Sequence, residues 1–351
     1  MLLRKSILFF ILTTLFIGGV HAQNRNGMPL VDNYHPVIYK GYSQNWSVCS
    51  NSLGLMFFAN GDGIMIYDGR VWSKILLPNN STPSALYCDE NDVIWVGAQS
   101  ELGVLIPDPV MGYRYQSISN LIPEEHHEFG FILQIIESSD GIYFRANSHL
   151  LRFHKGKIFV RIIPRQSFMF AHENMLFFYN GELGFKIVSG NRFLNVKSVY
   201  NDDMIIRGAL PYGKDSLLLV DPLHGLYIAE MNVGDPLRAS VKISHVYTPI
   251  NEYLIENEAY DARVLENGNL AFSTTRDGTI VCDRDFNVLF TLNKNSGVMN
   301  ETHNALYEDQ QNNLWIALDH GLSKVNLSSP LTYYNTTSGI NGSVLDIQRF
   351  A

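Results

Sequence analysis

The chain has 351 residues, 46% hydrophobic, 12% aromatic and 17% charged, enough apolar material for one large core or two smaller ones. Its 34 acidic side chains outnumber 26 basic ones for a formal net charge of -8. Without a basic stripe, that balance argues against nucleic acid as a direct partner. Cys49, Cys88 and Cys282 are too few for a disulfide scaffold and offer no close-spaced metal-ligand pair, so they read as small buried hydrophobes.

At the N-terminus, Arg4 and Lys5 precede the apolar run "ILFFILTTLFIGGV" (7–20), and small residues lead to Ala22. That order is a secretory signal peptide, so residues 1–22 are expected to be removed and the mature chain to begin at Gln23. An uncleaved anchor is the alternative, although 14 apolar residues are short for a bilayer. No later run approaches the roughly 20 apolar residues of a membrane-spanning helix. The protein is therefore expected to be exported, on the periplasmic or extracytoplasmic side of the inner membrane.

Next, "HPVIYKGY" (35–42) reads as a fourth-strand-like segment ahead of a series of repeats. Each repeat is an apolar run, a short polar turn, a marker glycine, a second apolar run and a polar residue. Gly63, Gly103, Gly184, Gly225, Gly278 and Gly321 mark six copies, and His149 takes the marker position in a seventh, weaker one. Successive markers stand 40, 46, 35, 41, 53 and 43 residues apart. The runs are short, rich in Val, Ile, Phe, Tyr and Trp, and punctuated by Gly, Asn and Asp, so each copy reads as two strands around a tight turn. Further apolar stretches precede and follow the pair.

Four antiparallel strands in about 43 residues make a blade. Residues 23–342 are therefore expected to form an all-β, seven-bladed β-propeller of four-stranded antiparallel blades. The 3.6-residue period of a helical solenoid is absent. The marker glycines suit a turn between second and third strands, and Trp95 and Trp315 suit packing between blades. Residues 330–335 are expected as the fourth strand of blade seven, and 343–351 as the start of a further repeat or a ring-closing strand.

No zinc-protease helix motif, phosphate-cradling glycine loop or nucleophile elbow occurs, so no catalytic residue, metal site or cofactor is assigned. The densest titratable cluster, "PEEHHEFG" (123–130), contains His126, His127 and Glu128, yet adjacent histidines on a short loop cannot readily aim at one ion. It reads as a solvated loop between blades. Ligand contacts are expected from the turns between second and third strands and from the inter-blade loops, which converge at one end of the central channel. That places the candidates at Asp62, Gln99, Glu101, Glu182, His224, Arg276, Asp277, Asp319 and His320, with Trp46 nearby.

"NNLWIALDHGLSKVN" and "DVIWVGAQSELGVLIPD" resemble the two-component-regulator propeller repeat: an Asn/Asp-rich turn, Leu-Trp-Ile, a small residue, a polar turn and Gly-Leu. Residues 44–72 look like the first blade of such sensors among Bacteroidetes-type hybrid or helix-turn-helix regulators. The resemblance covers 40–350 in outline and is clearest in blades one, two and seven. It implies an extracytoplasmic sensing module that binds a small molecule or glycan fragment without catalysis. It also implies a homodimer in a full-length regulator, and membrane attachment through downstream segments or the uncleaved anchor. The family carries no universal site residues to transfer. An exported carbohydrate-active propeller enzyme and a protein-binding scaffold stay open as alternatives.

Overall fold

The computed structural model describes residues 27–334, apart from 111 and 199–203. The expected signal peptide (1–22) and the expected further strand (343–351) lie outside the described residues. Within them, thirty strands form seven sheets, each one blade, and the chain is a seven-bladed all-β propeller. The first strands are Asn45–Ser50, Pro83–Cys88, Ile132–Ser138, Phe168–His172, Gly208–Gly213, Ala259–Val264 and His303–Glu308. They sit innermost and touch their neighbours at every junction but that between blades four and five, blade seven closing onto blade one. Aliphatic and aromatic clusters fill the wedges between blades, as between Phe177 and Leu217 of blades four and five.

Closure uses the N-terminus. Met28–Tyr34 pairs antiparallel with Leu322–Asn326, matching Leu30 to Asn326 and Tyr34 to Leu322. This strand is the fourth of blade seven. Thr332–Tyr333 pairs beyond it with Met28 and Pro29 as a fifth, so residues 330–335 do not supply the fourth strand as expected. The strand-like reading of 35–42 is also corrected. Pro36–Tyr39 is a single helical turn, opened by Pro36 with its pre-set φ and stopped at Lys40 in the left-handed region (φ 54). Its Tyr39 is buried against Met65 and Trp315. A terminal strand completing one blade leaves that sheet no inner gap to unzip.

The two clearest repeats share one construction. Asp89 Oδ1 accepts from the backbone of Asn91 and Val93, while Oδ2 accepts from Trp95 Nε1 at 2.9 Å. Asp309 does the same with Gln311, Asn313 and Trp315 Nε1, the last at 2.8 Å. Each carboxylate thus shapes the turn between first and second strands and fixes the indole. As expected, both indoles pack between blades: Trp95 on Phe144 and Phe153 of blade three, Trp315 on Tyr34 and on Phe58 of blade one.

Two irregularities in the repeat have local causes. The longest marker spacing, across residues 225–278, holds the helix Ile250–Glu256, whose Ile250 and Leu254 fill the gap between blades five and six. Gly103 is not a turn glycine. In blade two the residue closing the hairpin is Glu101, opposite Ala98, and Gly103 lies two residues on, where a Cβ would meet the Tyr115 ring. Elsewhere the marker does its expected work, as at Gly321 (φ 87) and Gly225 (φ 89). All three cysteines are free; burial pushes the Cys88 thiol up to about 11 and the Cys282 thiol up to about 12.

Candidate functional site

An antiparallel blade sorts its turns between two ends. The turns between second and third strands share one end with the connections between blades, and they bond to each other there. Gly61 donates to Gln44 O, Gln99 to Thr82 O, Thr275 to Asn257 O and Asp319 to Thr302 O. The inner strands begin at this end, and five of them begin with the same defect. Register shifts fall between Asn45 and Ser47, Pro83 and Ala85, Ile132 and Gln134, Ala259 and Asp261, and His303 and Ala305.

A bulge leaves one extra residue and re-aims its side chain. The extra residues are Trp46, Ser84, Leu133, Tyr260 and Asn304. In blade five the matching place, directly before the Gly208–Val220 pair, is Arg207, whose N–H bonds to Val220 O at 2.9 Å. In blade four it is Ser167, directly before the Phe168–Tyr179 pair. One position in each blade therefore rings the same end of the channel, and its side chain differs around the ring.

Three of these side chains are committed to structure. Ser84 Oγ donates to Ile132 O of blade three at 2.7 Å, and Asn304 Nδ2 donates to Asn45 O of blade one at 3.0 Å. Ser167 Oγ bonds to Pro164 O. The next tier inward is also stitched: Ser47, Gln134 and Asp261 accept from the backbone N–H of Leu86, Met169 and Leu306 in the following blade. The ring's remaining polar heads are differently placed. Trp46 packs into the wedge between blades one and two, and its Nε1 is buried without a hydrogen-bond partner among the described residues. Arg207 is exposed, with its guanidinium carbon 5.8 Å from the centre of the Tyr260 ring.

Arg145, at the second-strand position opposite Gln134, completes this group. It is 7% exposed, and Nε donates to Gln134 Oε1 at 2.6 Å. Burial, then repulsion from Arg207, pulls its pKa down to about 9, with Tyr260 opposing. Neither arginine belongs to any ion pair among the described residues.

The ten residues expected from sequence are spread over this end rather than gathered. Among the described residues no two of them share a hydrogen bond or ion pair. Glu101 is buried and accepts from Tyr115 OH at 2.7 Å, which makes it a packing element. Asp62 pairs with Lys74, Arg276 with Glu258, and Asp319 accepts from Gln44. Asp277 accepts from Asn293 Nδ2 at 3.0 Å. His224 Nδ1 lies 3.0 Å from the buried Asp221 carboxylate. Gln99, Glu182 and His320 are exposed on their turns. Trp46 alone belongs to the bulge ring. Sequence reasoning missed Arg145, Arg207 and Tyr260 because Arg145 and Tyr260 lie on strands and Arg207 directly before one, rather than in the turns.

The histidine loop also takes shape. His126 meets His149 edge-on at 5.6 Å, and His127 Nε2 bonds to Ile122 O at 2.8 Å. Burial and His126 together lower the pKa of His149. Among the described residues no three His, Cys, Asp or Glu side chains are grouped to hold a metal. A cleft of about 560 Å³, lined by Lys197, Asp215, Glu230 and Lys242 among others, opens on blade five near the opposite end.

The sequence matches no protein-family model and no curated protein. Solved structures do resemble the fold. Two are extracellular domains assigned to hybrid two-component systems of B. thetaiotaomicron. One has a TM-score of 0.62 at 14% identity, over 85% of this chain and 40% of that one. The other has 0.58 at 15%, over 85% and 42%. A third is virginiamycin B lyase from Staphylococcus aureus, with 0.62 at 12% identity over 86% of this chain and 100% of that one. The chain thus spans well under half of each sensor domain and the full length of the lyase.

Proposed function

We propose that this propeller is the extracytoplasmic ligand-sensing module of a signal-transduction regulator and binds a small molecule or glycan fragment at the channel end ringed by the inner-strand bulges. The observation that carries the reading is that ring: seven equivalent positions, of which Arg207 and Tyr260 keep charged or aromatic groups uncommitted to the frame, while the wedge-packed Trp46 has an indole N–H without a partner among the described residues. Bulges beside a cavity commonly re-aim side chains toward a ligand. The leader-like residues 1–22, the two-component propeller resemblance and the likeness to extracellular sensor domains support placing it outside the cytoplasm. In this reading the propeller needs no cofactor, contacts no nucleic acid, and acts through a dimer of the full regulator.

A thermal-shift screen against a saccharide panel, run beside product analysis of the same mixtures, tests it. Stabilisation without turnover is the expected result. Turnover of one polysaccharide with no stabilisation by any saccharide would sink the sensor reading.

One observation favours a second reading, that of an exported enzyme. His224 is half-exposed at the same end and oriented by the buried Asp221, an arrangement suited to a general base. The likeness to a lyase fits it in fold. Under that reading, His224→Asn abolishes turnover while leaving thermal stability within a few degrees. A protein-binding scaffold has no comparable feature in its favour.

A further inference from the structure

The bulge ring also carries information about ligand charge. Arg145 is more than nine-tenths buried, and its one hydrogen bond among the described residues uses Nε, so the terminal nitrogens of its fork are uncommitted. A guanidinium stays charged at neutral pH, and burying it away from a carboxylate costs free energy. Only three acidic residues occur in the seven described inner strands, and each is engaged elsewhere. Glu137 accepts from Tyr87 OH, Asp261 from the backbone of Ala262 and Leu306, and Glu308 from the backbone of Glu266. Asp261 also lies 3.8 Å from Arg263, which takes it further out of reach as a counter-ion.

The second cation makes the arrangement costlier still. Arg207 repels Arg145, and its own guanidinium rests on the Tyr260 ring. Blades three, five and six have therefore brought two positive groups and an aromatic face to one end of the channel. A structural arginine would be met by protein carboxylate; among the described residues this pair is not.

We propose that this end of the channel is a carboxylate-binding site, so that the ligand is an acidic saccharide: Arg145 and Arg207 hold the carboxylate, and Tyr260 packs on the sugar ring. Arg145 supplies a planar fork that matches carboxylate geometry, with Gln134 fixing its orientation through Nε. Arg207 supplies the exposed half of the clamp. The inference rests on the reading of this end as a ligand site and adds the charge of what it takes.

The test uses the exported chain and isothermal titration with oligogalacturonate, its methyl-esterified counterpart, a sulfated oligosaccharide and a neutral galacto-oligosaccharide. Binding is expected for oligogalacturonate, with loss on esterification and weakening as salt rises. Arg207→Met is expected to weaken it about tenfold or more, in line with a charged hydrogen bond. Arg145→Met should abolish it. Arg238→Met, a change at an exposed ion pair elsewhere, should leave it intact. Because Arg145→Met alters a buried site, its circular dichroism and melting curve are compared with the parent; Arg207→Met, at an exposed position, decides the matter if that variant does not fold.

The proposal is overturned if ester and acid bind equally, if only the sulfated or the neutral sugar binds, if none of the four binds, or if both arginine variants bind like the parent. Binding of the neutral sugar alone would leave the sensor reading standing while this inference falls. Binding of the acid followed by its turnover would do the reverse.

Discussion

The two ends of the propeller are built on opposite principles. At one end, the turns between first and second strands repeat a device: Asp89 with Trp95 in blade two, and Asp309 with Trp315 in blade seven, matched in sequence spacing and in hydrogen bonds. At the other end the backbone repeats and the side chains do not. The same bulge presents Trp46, Ser84, Leu133, Tyr260 and Asn304, with Ser167 and Arg207 at the matching places. Sameness serves packing, because every wedge between blades must be filled alike. Under the proposed function, difference is where one ligand is told from another.

The largest expected effect falls on the repeated end. Trp315 is fully buried between Tyr34, Phe58 and Lys324, so Trp315→Ala should cost about 3–5 kcal/mol in urea denaturation. If the comparison holds, ligand affinity measured below the transition stays near that of the parent.

Acid should act next most strongly, and at the varied end. His303 is wholly buried next to the bulge, bonded to Thr279 Oγ1 at 2.7 Å and Asn300 O at 2.9 Å. Burial lowers its pKa from 6.5 to about 4. Between those values the unfolded chain binds a proton that the folded chain does not, so stability falls as pH drops through that window. The loss approaches about 3 kcal/mol by the lower limit. Melting temperature followed against pH should show it, and His303→Gln should flatten that part of the profile.

A sharper comparison sets the two carboxylates against each other. Asp309→Ala strands the buried Asn313 and Trp315 donors and should cost about 2–3 kcal/mol. Asp89 is more exposed, so Asp89→Ala should cost roughly 1 kcal/mol less. Equal losses would mean that burial does not set the energy of these two turns. The smallest effect is expected at Asn304→Ala, about 1 kcal/mol, from the lost stitch to Asn45 O.

These contrasts also mark how far the amino-acid order could be read. The architecture was legible because short β-rich runs and marker residues recur, and even the 53-residue gap, now seen to hold a helix, kept the count at seven. Ring closure was legible in kind but not in partner. Nothing in "MPLVDNY" distinguishes it from an unpaired leader until Leu322–Asn326 is seen lacking an outer neighbour. The candidate site was legible only as an end of the molecule. Turn residues such as Glu101 and Arg276 look available in sequence but satisfy local bonds to Tyr115 and Glu258. Arg145 looks like an ordinary strand residue, and only the register opposite Gln134 and the approach of Arg207 across blade four reveal its setting.

The division between ends can be tested most directly by hydrogen exchange, with and without a ligand found in the saccharide screen. The account predicts added protection at residues 45–47, 132–134, 206–208 and 259–261, where the inner strands begin, and none at the turns 89–93 and 309–313. Protection concentrated at those turns, or on the blade-five cleft around Glu230 and Lys242, would contradict it.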